Sequence, residues 1–87
     1  MSETKTAMAG TLESMDCLVT VERGTGKVEL EGTSVARFRS SMEDTIRDVK
    51  SSMNAEDIDI RVQDRGALDI TLEARVRTAI ARLKEAE

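Results

Sequence analysis

The stretch "DIDIRVQ", residues 57–63, alternates apolar and polar side chains without a break. Ile58, Ile60 and Val62 fall on one face, and Asp57, Asp59 and Arg61 on the other. Successive side chains of a strand point to opposite faces, so this run is a strand whose apolar face must be covered. The cover stands on either side in the sequence. Val35, Phe38, Met42, Ile46, Val49 and Met53 recur at spacings of three and four, one stripe of a helix. Leu72, Val76, Ala79, Ile80 and Leu83 form a second such stripe. A one-faced strand between two one-faced helices points to a sheet with helices laid on one side.

The remaining segments extend this pattern. From about Thr4 to Leu12, Met8, Gly10 and Leu12 fall on one face of a weak strand. Cys17, Val19 and Val21 alternate with Asp16, Thr20 and Glu22, and "KVELE" brings Val28 and Leu30 inward. "RGTG", Arg23 to Gly26, lies between these two runs and predicts an antiparallel hairpin. Gly32 breaks the strand, and Thr33 or Ser34 can cap the first helix through its hydroxyl. Glu43 and Arg47 stand four apart in the favourable order on its outer face, and Asn54 suits its end. "DRG", Asp64 to Gly66, predicts a second hairpin turn, "ALDI" a short return strand through Leu68 and Ile70, and Thr71 the cap of the second helix. The expected fold is α+β: a two-layer sandwich with a small antiparallel or mixed sheet of about four to five strands and two helices on one face. Residues 1–87 are expected to form a single domain, which at this length holds one thin core.

Composition closes off several kinds of chemistry. The chain has no histidine, so a Ser-His-Asp or Cys-His site within it is excluded, along with the commonest general base. One cysteine, Cys17, cannot form an internal disulfide, and without histidine a zinc or transition-metal site would rest on carboxylates. No metal and no catalytic residue is expected. The only aromatic is Phe38 and the net charge is −4, which argues against stacking of bases and against binding of phosphate backbones. No apolar run approaches membrane-spanning length, and "MSETKTAMAG" contains no signal core, so a cytoplasmic protein is expected.

Local motifs are sparse. Ser14 stands between Glu13 and Asp16 just before a strand, but a serine without a base is no nucleophile, and by pattern it is a solvated turn residue. Cys17 packs as a small apolar side chain, Met42 and Met53 belong to the core stripe, and "RGTG" is a turn rather than a phosphate cradle.

"AGTLESMD", residues 9–16, and "VQDRGALDITLEARVRTAIARL", residues 62–83, together resemble the acyl carrier subunit, or gamma chain, of citrate lyase. The likeness extends over nearly the whole chain. "GTLES" is its specific part and "D-x-GALD" its support, whereas residues 27–55 match mainly in pattern. Family members usually have a small residue after the serine, where this chain has Met15. The resemblance implies that Ser14 carries 2'-(5''-phosphoribosyl)-3'-dephospho-CoA through a phosphodiester, with acetyl and citryl units held as thioesters on the group's thiol. It implies alpha and beta subunits that exchange acetate for citrate and then cleave the citryl unit, and a separate transferase that attaches the group. On this reading the chain is a non-catalytic carrier, with no nucleic-acid or membrane partner, and Glu13 and Asp16 help a basic partner surface recognise the turn. The alternatives are the carrier of a citramalate lyase or malonate decarboxylase, a module that docks without a covalent group, and an independent enzyme.

Overall fold

The computed structural model describes residues 5–87. Its elements are β1 (Thr6–Gly10), β2 (Cys17–Arg23), β3 (Val28–Gly32), α1 (Val35–Ser52), β4 (Ile58–Asp64) and α2 (Asp69–Ala86). The strands form one mixed sheet in the order β1-β2-β4-β3. β1 and β4 both pair with β2 in antiparallel fashion, and β3 pairs with β4 in parallel. Both helices cover the same face, which gives the expected two-layer α+β architecture.

Register explains the core. Two apolar rows cross all four strands: Ala7–Val21–Ile60–Val28 and Ala9–Val19–Val62–Leu30. Val19, Val21 and Val62 are fully buried beneath Ile46, Val49, Leu72, Val76, Ile80 and Leu83 of the helices. β4 lies at the centre of the sheet, which is why its alternation is the cleanest in the chain.

Seven expectations fail, each for a physical reason. β2 and β3 form no hairpin, because β4 lies between them. The amides of Thr25, Gly26 and Lys27 all donate to Asp59 Oδ1, at 3.0, 2.9 and 2.8 Å, so the "RGTG" segment crosses the start of β4 instead of folding back on β2. Gly24 makes this crossing possible, since a Cβ there would come within 2.1 Å of the Asp59 carboxylate. "ALDI" is no strand: α2 begins at Asp69, and Leu68 and Ile70 are exposed. Asp64 turns the chain into α2 by accepting from the Gly66 and Ala67 amides, and Asp69 then meets the positive end of the helix dipole. Thr71 is inside the helix, with Leu68 at the cap position. β1 has the opposite phase from that expected: Ala9 is buried and Met8 is 47% exposed, because the face that α2 packs against takes the smaller side chains. The predicted start of this strand, Thr4, lies outside the described residues.

The last three concern α1. Ser34 occupies its N-cap, but its side chain makes no cap bond; the Asp64 carboxylate instead accepts the Ser34 amide at 2.8 Å. Arg47 pairs with Asp44, which lies one turn back on the same face, and more loosely with Asp48 at 3.8 Å, rather than with Glu43. Phe38 leaves the buried stripe at a kink in the first turns of α1, where its φ and ψ are −124° and 19°. Asn54 takes a left-handed φ of 52° beyond the helix, as expected.

One consequence of the register positions the candidate site. Gly10 faces Leu18, Cys17 faces Asp64, and Asp64 faces Gly32. The β1–β2 turn, the β3–α1 turn and the β4–α2 turn therefore meet at one edge of the sheet.

Candidate functional site

The β1–β2 turn contains Ser14. Glu13 O accepts from Asp16 N at 3.2 Å, which places Ser14 and Met15 at the two central positions of a β-turn. Met15 has a φ of 66°, and Ser14 is not in the left-handed region. Positive φ at the second central position alone is the mark of a type II turn, which favours glycine there. Ser14 is exposed at the corner, and Met15 is 64% exposed. Among the described residues, no hydrogen bond engages the Ser14 hydroxyl.

The turn is exposed but firmly held. Met15 N donates to Arg65 O at 2.8 Å, and Arg65 N donates to Asp16 O at 2.9 Å, so the turn is tied to the β4–α2 connection by its backbone. The Asp16 carboxylate holds it from within. Oδ1 accepts from Cys17 N at 2.7 Å and Arg75 Nε at 3.0 Å; Oδ2 accepts from Thr11 Oγ1 at 2.7 Å and Arg75 NH2 at 2.9 Å. Thr11 Oγ1 in turn accepts from Glu13 N at 3.1 Å. The Arg75 guanidinium above all, with the Thr11 and Cys17 donors, outweighs the effect of burial and holds the Asp16 carboxyl at about 2. Gly10 closes the base of the turn: its φ is +100°, and a Cβ there would lie 1.9 Å from Cys17 O.

This geometry divides the two acids flanking Ser14. Glu13 is exposed and free to meet a partner surface. The Asp16 side chain is only 13% exposed and fully engaged with donors, so the expectation that it is read by partners gives way to a structural role. For the same reason Asp16 offers no basic lone pair to Ser14. Cys17 is completely buried, and burial, with the Asp16 and Asp64 charges, pushes its thiol up to about 11. Among the described residues, no group of three or more His, Cys, Asp or Glu side chains is placed to hold a metal, and no helix is long and apolar enough to cross a membrane.

Beneath the site, Asp64 joins the other two turns. It is 1% exposed and accepts from Ser34, Gly66 and Ala67 amides, while Thr33 N donates to its backbone carbonyl. Burial alone would raise its carboxyl, but these donors more than offset that and it ends below the ordinary carboxylate range. Sequence reasoning missed Asp64, Arg75 and Arg65. The one available signal was "D-x-G-A" ahead of a helical stripe, since an aspartate that accepts from amides two and three residues on is an Asx-type turn.

Comparison with known proteins bears on what such a turn is for. A family model described as "Malonate decarboxylase delta subunit (MdcD)", of acyl carrier type, matches residues 4–83. The citrate lyase acyl carrier protein of Halothermothrix orenii is 39% identical over 80 residues, covering 90% of this chain and 85% of the relative. The chain belongs to the citrate lyase acyl carrier protein family. Carriers of the same name from Leuconostoc mesenteroides subsp. cremoris and Haemophilus influenzae strain PittEE are 38% and 39% identical, each covering 94% of this chain and 87% of the relative. Membership of an acyl carrier family agrees with a turn that presents an exposed serine.

Proposed function

We propose that the chain is a single carrier domain, the acyl carrier subunit of a citrate lyase, with Ser14 as the attachment point of 2'-(5''-phosphoribosyl)-3'-dephospho-CoA. The observation that carries this reading is the exposed Ser14 hydroxyl at the corner of a turn pinned by Asp16, Arg75 and the Arg65 backbone. The residues fit such a group. Ser14 supplies an unencumbered oxygen for a phosphodiester, and the pinned turn fixes the anchor while leaving the space around it open. When bound, the group supplies the thiol on which acetyl and citryl units are held as thioesters. Asp16 keeps its charge and position throughout, Cys17 stays buried and protonated, and neither competes for acyl groups. Acid–base catalysis comes from partners: a transferase that activates the Ser14 hydroxyl, and alpha and beta subunits that exchange and cleave the acyl unit. A fixed anchor raises the local concentration of the acyl group at both active sites. On this reading the chain works in the cytoplasm, and Glu13 supplies a charge for a basic partner surface.

Intact mass of the chain from cells that contain the transferase and make the active lyase tests this directly. A mass excess equal to the nucleotide arm, lost in Ser14→Ala, is expected. An unmodified chain from such cells would support a docking module without a covalent group. A second reading, the carrier of a malonate decarboxylase, is favoured by the description of the matching family model; the names of the relatives favour citrate. Supplying the assembled complex with citrate or malonate, and weighing the acyl unit left on the carrier, separates the two.

A further inference from the structure

A groove opens between the first turns of α1 and the start of α2, with a volume of about 280 Å3. Met42 and Leu72 form its buried floor, and Phe38 and Leu68 stand on its rim, 48% and 58% exposed. Ala67 and Ser34 complete the wall. A groove of that volume admits a short chain of atoms and is too small for a folded protein element. Two features single it out. Phe38, the only aromatic, leaves the core stripe at the kink of α1 and turns an apolar ring to solvent, where the continued stripe would bury it. The groove is also joined to the Ser14 turn, since Arg65, which exchanges backbone hydrogen bonds with Met15 and Asp16, directly precedes Gly66, Ala67 and Leu68. Ser14 and Gly66 are thus separated by two peptide steps of about 3.8 Å and one paired step of about 5.5 Å.

We infer that this groove is a resting site for the pantetheine end of the group attached at Ser14, packed against Phe38 and Leu68. The inference rests on the Ser14 reading. An arm of ribose, nucleotide and pantetheine in series is longer than the separation. Its amide-linked, methyl-bearing end has the mixed chemistry of the groove, which sets apolar walls beside the Asp69 carboxylate, an acceptor for an amide N–H. Strong intrinsic binding is not required. A tether gives a local concentration in the millimolar range, so a Kd near 1 mM leaves the groove about half filled. The thioester end is then partly shielded from water between visits to the catalytic subunits, and released when a partner competes for it.

The test uses the full-length chain isolated with its arm, as judged by intact mass, beside Phe38→Ala, Leu68→Gln and Ser14→Ala. Both rim residues are exposed, so the variants keep the core, which their melting curves verify. The expected result is nuclear Overhauser contacts between the arm's geminal methyl protons and the Phe38 ring. Alkylation of the arm's thiol by iodoacetamide is expected to be about two- to fivefold slower than for the free group, with the free rate restored in both rim variants. Cys17 is silent in that assay because it is buried. An arm present on Ser14 that makes no contact with Phe38 and reacts at the free rate would overturn the groove assignment and leave the attachment intact. A chain without an arm on Ser14, from cells with the transferase, would overturn both. Concentration-dependent shifts at Phe38 and Leu68 in Ser14→Ala would assign the groove to a second copy and overturn it as well.

Discussion

Replacing Asp16 with asparagine tests whether the clamp under Ser14 is electrostatic. The change is isosteric, but it puts an amide NH2 where Arg75 and Thr11 both donate, so donors face donors. The folded chain lowers the Asp16 carboxyl from an ordinary 3.8 to about 2. At about 1.36 kcal/mol per pKa unit, that sets a ceiling of about 2.4 kcal/mol. The Arg75 side chain is 39% exposed, and solvent screening reduces the expected contribution to about 1–2 kcal/mol. In a domain of this size that corresponds to a Tm lowered by roughly 5–15 °C at pH 7. The sign follows from the depressed pKa. The stabilisation is complete above about pH 4 and disappears as the pH falls through 2, so the two proteins should converge in strong acid. Urea unfolding of wild type, Asp16→Asn, Arg75→Gln and the double variant, at pH 7 and near pH 2, measures the coupling between the pair. A coupling of about 1–2 kcal/mol at pH 7 that shrinks towards pH 2 is expected. A coupling below about 0.3 kcal/mol, or an undiminished gap near pH 2, would refute the electrostatic account.

Met15→Gly relieves a left-handed residue whose side chain is largely exposed, so a gain of about 0.5–1 kcal/mol is expected in thermal unfolding, the relief exceeding the added entropy of an unfolded glycine. Gly10→Ala should cost roughly 2 kcal/mol or more in the same measurement, since its Cβ meets Cys17 O at 1.9 Å and its φ is +100°. Ser14→Ala should leave stability within about 0.5 kcal/mol of wild type, because the side chain is exposed and no hydrogen bond among the described residues engages its hydroxyl. In the unmodified chain, Cys17 should resist iodoacetamide at pH 8 until denaturant is added; rapid labelling of the native chain would contradict its burial.

What the sequence discloses and what it withholds follow from the range of each interaction. Which residues of α2 and β4 face inward is legible because apolar spacing records a face, and Leu72, Val76, Ala79, Ile80 and Leu83 are all buried as read. Spacing does not record partners. Val28 and Leu30 point inward as expected, yet against β4 and not β2, because the choice is made by Asp59, more than thirty residues away from the amides it holds. Asp16, Asp59 and Asp64 look like solvated acids in one dimension. Each proves to be an acceptor for backbone amides or a guanidinium brought from another segment. Ser14 carries no signal in its spacing at all; its candidacy came from the resemblance of "GTLES", and the fold adds the exposed corner and the clamp beneath it.

The central place of β4 also sets an order of events during synthesis. β1, β2 and β3 leave the ribosome first, but the sheet has no middle until residues 58–64 arrive. The partners of the Ser14 turn come later still: Arg65 follows β4, and Arg75 lies within the last helix. A growing chain therefore exposes the serine long before it possesses the turn. An enzyme that recognises the pinned corner rather than the bare peptide would modify only finished carriers, and the fold would act as its own certificate of completion.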